Sequence, residues 1–447
     1  MKKSGLKSAV LIILTSILFS SFMYSQNSDL PQFEKTIEFD ETRYSGELSA
    51  DEMIEYAIGF SGYNAGSQEA EFVRNTFRQL KDEISSERFS LGNQKACGNE
   101  ILTLIYEKIL KKYSESQNDI FITLRNGTYN CVTSNLIYIV CCKYAGLTVH
   151  AQKTPNHTFS TLICGSEKID VETTNPYGFD PGKKHDVSSK KDMSRYAYVP
   201  PKNYATCSTV SDRIMVSMIA GNRATASMNR NKYKAAVPLI YTRWLFVKDE
   251  DSIASREVRH EFDVVCTNYA KVLQEQNKNS LCLEWIDYCH EQGMTDLYMM
   301  DNFNDIVYNI IVYNINNNNL SSAKKILSEK KKYLNEKTFL LLENAIKESE
   351  WINILNEAGM SGNFEKGLEL IEQAQKECPE SRILPQMKKS LQKNYGIMIH
   401  NMYADFFNSA DYENAKKIVE TGLEKVPENG LLKNDFKEVI QIIENGK

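Results

Sequence analysis

Residues 127–138 read GTYNCVTSNLIY, a turn followed by an asparagine and then by a run with helical character. Asn130 is a good N-cap residue, which predicts that Cys131 lies in the first turn of a helix extending to about residue 144. Gly146 is a suitable end for that helix. Unpaired backbone amides and the positive end of a helix favour a thiolate. The stretch therefore predicts an accessible, nucleophilic cysteine.

The pattern after this helix changes from helical to strand periodicity. Three β-rich segments follow, at residues 147–152, 158–164 and 168–173. His157 stands at the start of the second, from which its imidazole could reach the helix end. Asp170 and Glu172 are two residues apart and so lie on one face of the third. Either carboxylate could orient the imidazole, and Asn175 is a more distant third option. A thiolate, a base and an orienting group are what cysteine acyl chemistry needs, so these residues form a candidate active site.

Two further stretches carry a resemblance to a known family. Residues 155–159 read PNHTF and residues 169–176 read IDVETTNP. Together with residues 127–138 they resemble the transglutaminase-like superfamily, most closely its bacterial branches, including the type in which helical repeats follow the domain. The resemblance covers residues 90–182 well. It implies an α+β fold of papain/transglutaminase type, with helices and a small antiparallel sheet, followed by an α-helical repeat domain.

The same resemblance implies the roles of the site residues. Cys131 is then the nucleophile and His157 the base. The superfamily usually has a hydrophobic residue, Asp, Pro and Thr where this chain has residues 171–174. Glu172 therefore replaces the aspartate as the third member, with Asp170 as the alternative. A further departure is Val132, which stands where an aromatic residue often follows the cysteine.

Acyl transfer on amide bonds is the chemistry of such a site, and the expected substrate is a protein or peptide. Hydrolysis, as in a peptidase or amidase, is favoured over transamidation because the chain shows no amine site and no calcium-loop motif. The alternative is a non-catalytic periplasmic scaffold that binds a protein or peptide partner through its helical repeats. Neither a cofactor nor a metal is expected, since the sequence has no Gly-rich phosphate loop, no CxxC pair and no paired metal ligands.

Length and composition limit the remaining possibilities. A chain of 447 residues exceeds the size at which one core keeps growing, which predicts two domains. The shares of hydrophobic and charged residues, 42% and 25%, are those of a globular protein. A formal net charge of -5 gives no electrostatic case for nucleic acid. The ten cysteines show no compact spacing, which predicts mostly buried thiols with one or two disulfide bridges.

The first residues predict export. Lys2, Lys3 and Lys7 precede an apolar run at residues 9–22, which is the pattern of a secretory signal peptide at residues 1–26. Its removal would leave an exported protein with no membrane span, in a bacterial periplasm, at the cell surface or secreted.

The rest of the chain divides by pattern into four segments. Residues 27–48 predict an extended lead-in, residues 49–182 the transglutaminase-like domain, residues 183–210 a linker or arm, and residues 211–447 helical repeats. Before the site, helices are predicted at about residues 69–84 and 96–113, and a short strand or turn at residues 121–124.

A small residue stands twelve positions before a proline at two places in the last segment. Gly367 precedes Pro379, and Ala415 precedes Pro427, each within similar flanking residues. This resembles the second helix of tetratricopeptide repeats, in which the small residue allows close packing and the proline follows the helix. Such repeats imply a possible protein partner for this part of the chain.

Overall fold

The computed structural model describes residues 29–42, 46–85, 89, 92–180, 207–250 and 252–445. These residues form sixteen α-helices and six strands. They divide into two compact units, Met1–Met294 and Thr295–Lys447. The predicted signal peptide at residues 1–26 and most of the predicted arm at residues 183–210 lie outside the described residues.

Three helices open the first unit: α1 (Ala50–Phe60), α2 (Gln68–Ile84) and α3 (Gln94–Lys108). A capping box begins α1, because the Ser49 hydroxyl accepts a hydrogen bond from the backbone N–H of Glu52 and the Glu52 carboxylate accepts one from the backbone N–H of Ser49. The apolar spacing of α2 predicts a buried face of Phe72, Phe77 and Leu80; Phe77 and Leu80 are buried, whereas Phe72 is exposed. The third helix ends five residues earlier than predicted, at Lys108.

The predicted strand or turn at residues 121–124 is wrong, since these residues lie in helix α4 (Ile120–Asn126). The Asp119 carboxylate caps this helix by accepting a hydrogen bond from the backbone N–H of Ile122. Gly127 ends it with a φ of 73°. A helix of seven residues is too short for its periodicity to be distinguished from that of a strand. Two short strands flank it and pair in parallel, β1 (Lys112–Tyr113) and β2 (Thr128–Tyr129).

A buried helix on a small antiparallel sheet forms the centre of the unit. Helix α5 (Cys131–Tyr144) is buried at every residue from Val132 to Cys142. The sheet has the order β5-β4-β3-β6 and comprises β3 (Thr148–Lys153), β4 (Thr158–Cys164), β5 (Glu167–Val171) and β6 (Ser208–Val210). Gly165, with a φ of 62°, makes the turn between β4 and β5. The predicted α+β class, with helices and a small antiparallel sheet, is confirmed.

The edge strand β6 falls in the segment predicted as an arm. Val210 pairs with Ala151 of β3, and both side chains are buried, whereas Ser208 and Thr209 are exposed. A three-residue strand with one buried side chain leaves almost no alternating pattern in the sequence, so its pairing partner decides its structure.

Four helices complete the first unit: α6 (Asp212–Met228), α7 (Tyr233–Val247), α8 (Ile253–Glu275) and α9 (Asn279–Glu291). Helix α6 packs against α1, α5 and β3, and Lys143 of α5 forms an ion pair with Asp212 at 2.9 Å. These helices therefore belong to the same compact unit as the sheet, whereas the sequence predicts residues 211–447 as one repeat domain. Helix α6 packs with the sheet because it is buried on almost all sides from Asp212 to Ala220. Such a helix needs partners other than α7 to cover its apolar surface.

The predicted lead-in packs onto these helices. Residues 29–42 contain neither helix nor strand. The Phe33 ring contacts the rings of Phe262 and Trp285, and its backbone N–H donates to the Tyr288 hydroxyl at 2.8 Å. The lead-in is thus part of the apolar core of the first unit.

Seven helices make up the second unit: α10 (Leu297–Asn316), α11 (Leu320–Glu329), α12 (Glu336–Met360), α13 (Phe364–Glu377), α14 (Leu384–Asn408), α15 (Tyr412–Lys425) and α16 (Gly430–Asn445). Each packs on its neighbour in the chain. Gly367 lies where a Cβ would come within 2.9 Å of the Leu391 side chain, and Ala415 is fully buried. Helices α13 and α15 end two residues before Pro379 and Pro427. The helical character predicted for this segment is confirmed, and its repeat family stays a prediction.

Among the described residues, no helix combines the length and the apolar character that a membrane crossing requires.

Candidate active site

Cys131 is the first residue of α5 and is half-buried. The Asn130 side chain accepts a hydrogen bond from the backbone N–H of Thr133 at 2.9 Å, and the Thr133 hydroxyl accepts one from the backbone N–H of Asn130 at 3.1 Å. This reciprocal cap fixes the first turn. The backbone N–H groups of Cys131 and Val132 donate to no residue that the structure describes, as is usual for the first turn of a helix.

His157 is placed by the turn between β3 and β4. The backbone N–H of Thr154 donates to the His157 carbonyl at 2.9 Å and closes this turn. Asn135, one helical turn after Cys131, donates through its side chain to the Thr158 hydroxyl and to the Phe159 carbonyl, both at 2.9 Å. These bonds tie α5 to β4 directly beside His157, so the helix carrying the thiol and the strand carrying the imidazole are held together.

The structure brings Cys131, His157 and Glu172 together. The Nε2 atom of His157 lies 2.8 Å from Oε2 of Glu172, and the imidazole is also hydrogen-bonded to the Cys131 side chain. The side chains of His157 and Glu172 are only 8% and 5% exposed, so water competes little for this contact.

Glu172 is held from its other side by the segment that follows β5. Its Oε1 atom accepts hydrogen bonds from the Thr174 backbone N–H at 3.0 Å and from the Thr174 hydroxyl at 2.5 Å. Its backbone N–H donates to the Gly178 carbonyl at 2.8 Å. A Cβ at Gly178 would lie 2.0 Å from the Glu172 carbonyl oxygen, so only glycine fits there.

The two alternative third members have other partners. Asp170 accepts a hydrogen bond from the Thr161 hydroxyl at 2.8 Å on the neighbouring strand. Asn175 accepts one from the backbone N–H of Tyr177 at 2.9 Å and so stabilises a turn. The geometry therefore favours Glu172, and its catalytic role stays a prediction.

Three tyrosines lie near the site, and no local pattern in the sequence pointed to them. The Tyr106 hydroxyl lies 3.0 Å from that of Tyr129 and donates to the Thr173 carbonyl at 3.0 Å, so it supports the residue after Glu172. Tyr113 lies opposite Tyr129 in the β1–β2 pair. Burial raises the pKa of Tyr113, and the charges of Cys131 and nearby carboxylates raise it further.

The electrostatics of His157 favour its charged form. Burial alone lowers the pKa of an imidazole, but the hydrogen bonds to Cys131 and Glu172 outweigh it and raise the pKa of His157 to about 10. The ring is therefore an imidazolium at neutral pH, placed between a sulfur and a carboxylate. An imidazolium beside a cysteine is the arrangement that stabilises a reactive thiolate.

Cys131 and His157 open into a cleft of about 370 Å³ within the first unit. The turn at residues 153–158 forms one side of the cleft, and helices α6, α7 and α8 supply the remaining walls. The sequence assigned these helices to another domain, so their part in the site was missed. Arg243 and Glu261 form an ion pair in this cleft.

Most other thiols are shielded. Burial raises the pKa of Cys141 and of Cys282 to about 12, and it raises the pKa of Cys142 well above its ordinary value. All ten cysteines lie among the described residues as thiols, and Cys207 is the exposed one. No group of three or more His, Cys, Asp or Glu residues in the described part of the chain is arranged to hold a metal ion.

Comparisons with known proteins add little. No protein-family model matches the chain, and no curated protein matches it. Among solved structures, the chain is similar to menin, in a crystal structure whose title describes the binding site for the Mixed Lineage Leukemia protein. The identity is 11%, the TM-score is 0.29, and the match covers 67% of this chain and 82% of menin. A TM-score this low leaves the function to be argued from the residues of the site.

Proposed function

We propose that this protein is a cysteine acyl-transfer enzyme of transglutaminase-like type, which hydrolyses amide bonds in a protein or peptide substrate. The observation that carries the proposal is the hydrogen-bonded series of the Cys131 sulfur, the His157 imidazole and the Glu172 carboxylate. A nucleophile, a base and an orienting group in this order form the papain-like variant of the catalytic triad. The cysteine at a helix start, the histidine just before β4 and the acid just after β5 also follow the chain order that the family resemblance implies.

The reaction has two halves. In the first, the Cys131 sulfur attacks the amide carbonyl carbon, and His157 gives its proton to the nitrogen as the C–N bond breaks. This leaves a thioester on Cys131 and releases an amine. In the second, water attacks the thioester carbonyl, His157 takes up a proton from the water, and the C–S bond breaks to release the carboxylic acid. Glu172 accepts from Nε2–H throughout and keeps Nδ1 directed at the sulfur.

The negative oxygen that forms during each attack needs hydrogen-bond donors. The backbone N–H of Cys131 is available because it makes no bond to another described residue. It lies at the positive end of α5, which adds a favourable field. The first turn of this helix thus stabilises both the sulfur anion and the oxyanion.

Water is the preferred acceptor in this proposal, since the sequence shows neither an amine site nor a calcium loop. Export to a bacterial periplasm or to the cell surface is a further part of it and rests on the signal-like pattern of residues 1–26. The helical second unit would hold a protein or peptide partner, as its resemblance to tetratricopeptide repeats implies.

The test is the reactivity of Cys131 in the purified chain. His157→Ala is expected to slow alkylation of Cys131 by iodoacetamide strongly at about pH 6.5, because the positive partner that favours the thiolate form is lost. Mass spectrometry of the peptides gives the rates at Cys131 and at the exposed Cys207 in one sample. The rate at Cys207 is expected to stay unchanged and serves as the internal reference.

His150→Ala is the matched control, because His150 is an exposed histidine on β3 of the same sheet. It is expected to leave the Cys131 rate at the wild-type value. If Cys131 reacts only after denaturation, or reacts equally fast without His157, the catalytic proposal is wrong. The non-catalytic scaffold, with its partner on the helical repeats, would then be the better account.

A further inference from the structure

The cleft beside Cys131 and His157 is partly apolar. Aliphatic and thioether side chains from α6, α7 and α8 contribute to its lining: Met218, Ala224, Met228, Ile240, Val264 and Val265. Its volume of about 370 Å³ is at the lower end of the roughly 300–1,000 Å³ typical of ligand sites. That size suits one or two residues of a peptide. Methionines adapt their shape readily, so such a wall accepts aliphatic side chains of different shapes.

The charges in and around the cleft are matched in pairs. Lys153 contacts Glu257 at 2.5 Å, and Arg243 forms its ion pair with Glu261. The His157 imidazolium faces the Cys131 sulfur and Glu172. A charged side chain entering the cleft would lose its hydration without finding an unmatched partner, which is unfavourable. An uncharged side chain has no such cost.

Arg243 gives the cleft a fixed polar contact. It is only 4% exposed, and the absence of a side chain at Gly221 makes room for it, since a Cβ there would lie 2.5 Å from Nη1. Its Nε donates to the Ser217 hydroxyl and its Nη1 to Glu261, while Nη2 donates to no residue that the structure describes. A peptide carbonyl is a neutral acceptor that suits this remaining donor.

We propose that this cleft is the specificity pocket of the site, which binds an uncharged aliphatic side chain of the acyl donor while Arg243 donates to a neighbouring peptide carbonyl. The acyl donor is the part of the substrate that stays attached to Cys131 in the thioester, and the cleft opens directly at that sulfur. The inference rests on the acyl-transfer function proposed above and names the class of peptide that it acts on.

The test uses covalent labels that resemble the acyl donor. N-acetyl dipeptidyl chloromethyl ketones, with Leu, Gly, Asp or Lys at either residue, are reacted with the full chain, and the rate constant at Cys131 is measured. At one of the two positions, Leu is expected to react at least about tenfold faster than Gly, Asp or Lys, because it alone buries a large apolar side chain without a charge. Iodoacetamide, which carries no amino-acid side chain, gives the intrinsic reactivity of the thiol.

A substitution that fills the cleft tests whether the preference for Leu arises there. Val264→Phe places a larger side chain in the cleft wall and is expected to abolish the preference for Leu while leaving the iodoacetamide rate unchanged. Val272→Phe is the matched control, since Val272 is a half-buried valine on the same helix that does not line the cleft. An unchanged melting temperature and iodoacetamide rate confirm that each variant is folded.

The two proposals fail differently. If Cys131 reacts neither with iodoacetamide nor with any label in the native chain, the acyl-transfer function itself is wrong. If Cys131 reacts in a manner that depends on His157 but shows no preference for Leu, only the specificity pocket is wrong. A faster reaction of the Asp or Lys label would likewise overturn the pocket, as would a preference for Leu that survives Val264→Phe.

Discussion

The region around the site and the helical second unit bury different kinds of side chain. Thirteen polar or charged residues between Thr123 and Thr174 are buried, whereas only Asn314 and Asp435 are buried among the described residues of the second unit. Burying a polar group is unfavourable unless it is hydrogen-bonded, and a network of such groups must be satisfied throughout. The thirteen buried polar residues around the site must therefore be hydrogen-bonded, and these bonds hold their side chains in fixed positions. A catalytic site needs side chains fixed in this way.

The second unit is stabilised in a simpler way. One of its core clusters is built from apolar side chains, among them Ile399, Val419 and Leu432. Its buried Asp435 is matched by His400, with Oδ2 and Nδ1 2.8 Å apart. Amphipathic helices stacked on their neighbours need little else, so this unit tolerates polar changes that the first unit would not.

Substitution of one buried asparagine in each unit tests this contrast between the two units. Asn135→Leu is expected to destabilise α5 by about 3 kcal/mol, because it leaves the buried Ser160 hydroxyl without its acceptor and removes the bond from α5 to the Phe159 carbonyl. Asn314→Leu is expected to change the stability of α10 by less than about 1 kcal/mol, since the one hydrogen bond of its side chain to a described residue is to the Ile310 carbonyl of its own helix.

Native-state hydrogen exchange of α5 and of α10 reports the two effects separately, without assuming that the chain unfolds as one unit. The Asn135 variant is also expected to lower the alkylation rate of Cys131, because the tie between α5 and β4 is lost. If the two variants lose equal protection against hydrogen exchange in α5 and in α10, the contrast between the units is wrong.

Local signals carried most of what the sequence predicted correctly. Asn130 caps a helix by bonding within its own turn, so the position of Cys131 follows from neighbouring residues alone. The strand at residues 158–164 and the turn at Gly165 are likewise set by residues close in sequence. The same holds for the helix ends before Pro379 and Pro427.

What the sequence did not predict depends on contacts between distant residues. Asn135 looks like an ordinary helical residue until Thr158 and Phe159 are brought beside it. Tyr106 supports the site from α3, across 67 positions in the chain. The cleft walls from α6 to α8 were assigned to another domain because a buried helix and a repeat helix show similar spacing.

The sequence alone also did not decide whether Asp170 or Glu172 orients the imidazole of His157. Alternation places Asp170 and Glu172 on one face, but β5 ends at Val171 and the chain then turns at Thr174. That turn separates their environments, so that Glu172 faces His157 and Asp170 faces Thr161.

Replacing Glu172 and Asp170 by their isosteric amides tests whether the two carboxylates have different roles. Glu172→Gln is expected to lower the pKa of His157, because the negative partner of the imidazolium is lost. It is also expected to slow Cys131 alkylation about tenfold near pH 6.5, because the ring is no longer held in its orientation towards the thiol. Asp170→Asn is expected to change the rate less than about twofold, because its amide oxygen can still accept from Thr161. The opposite ranking would make Asp170 the orienting residue. Alkylation kinetics and the NMR titration of the His157 ring give the two readouts.

A further expected effect is a pH dependence of stability that belongs to the site. The folded pKa of His157, about 10, lies above the value of about 6.5 for an unfolded histidine. Its contribution to stability is therefore present in full below about pH 6.5 and is lost as the pH rises through about 10, where the folded ring gives up its proton. The difference in melting temperature between the wild type and His157→Gln should shrink over that range.

His400→Gln is the comparison in the second unit, where the histidine is 36% exposed and water screens its contact with Asp435. A difference that stays constant between about pH 6.5 and 10 for His157→Gln would mean that the imidazole is neutral in the folded protein, and the charged pair with Cys131 would have to be abandoned.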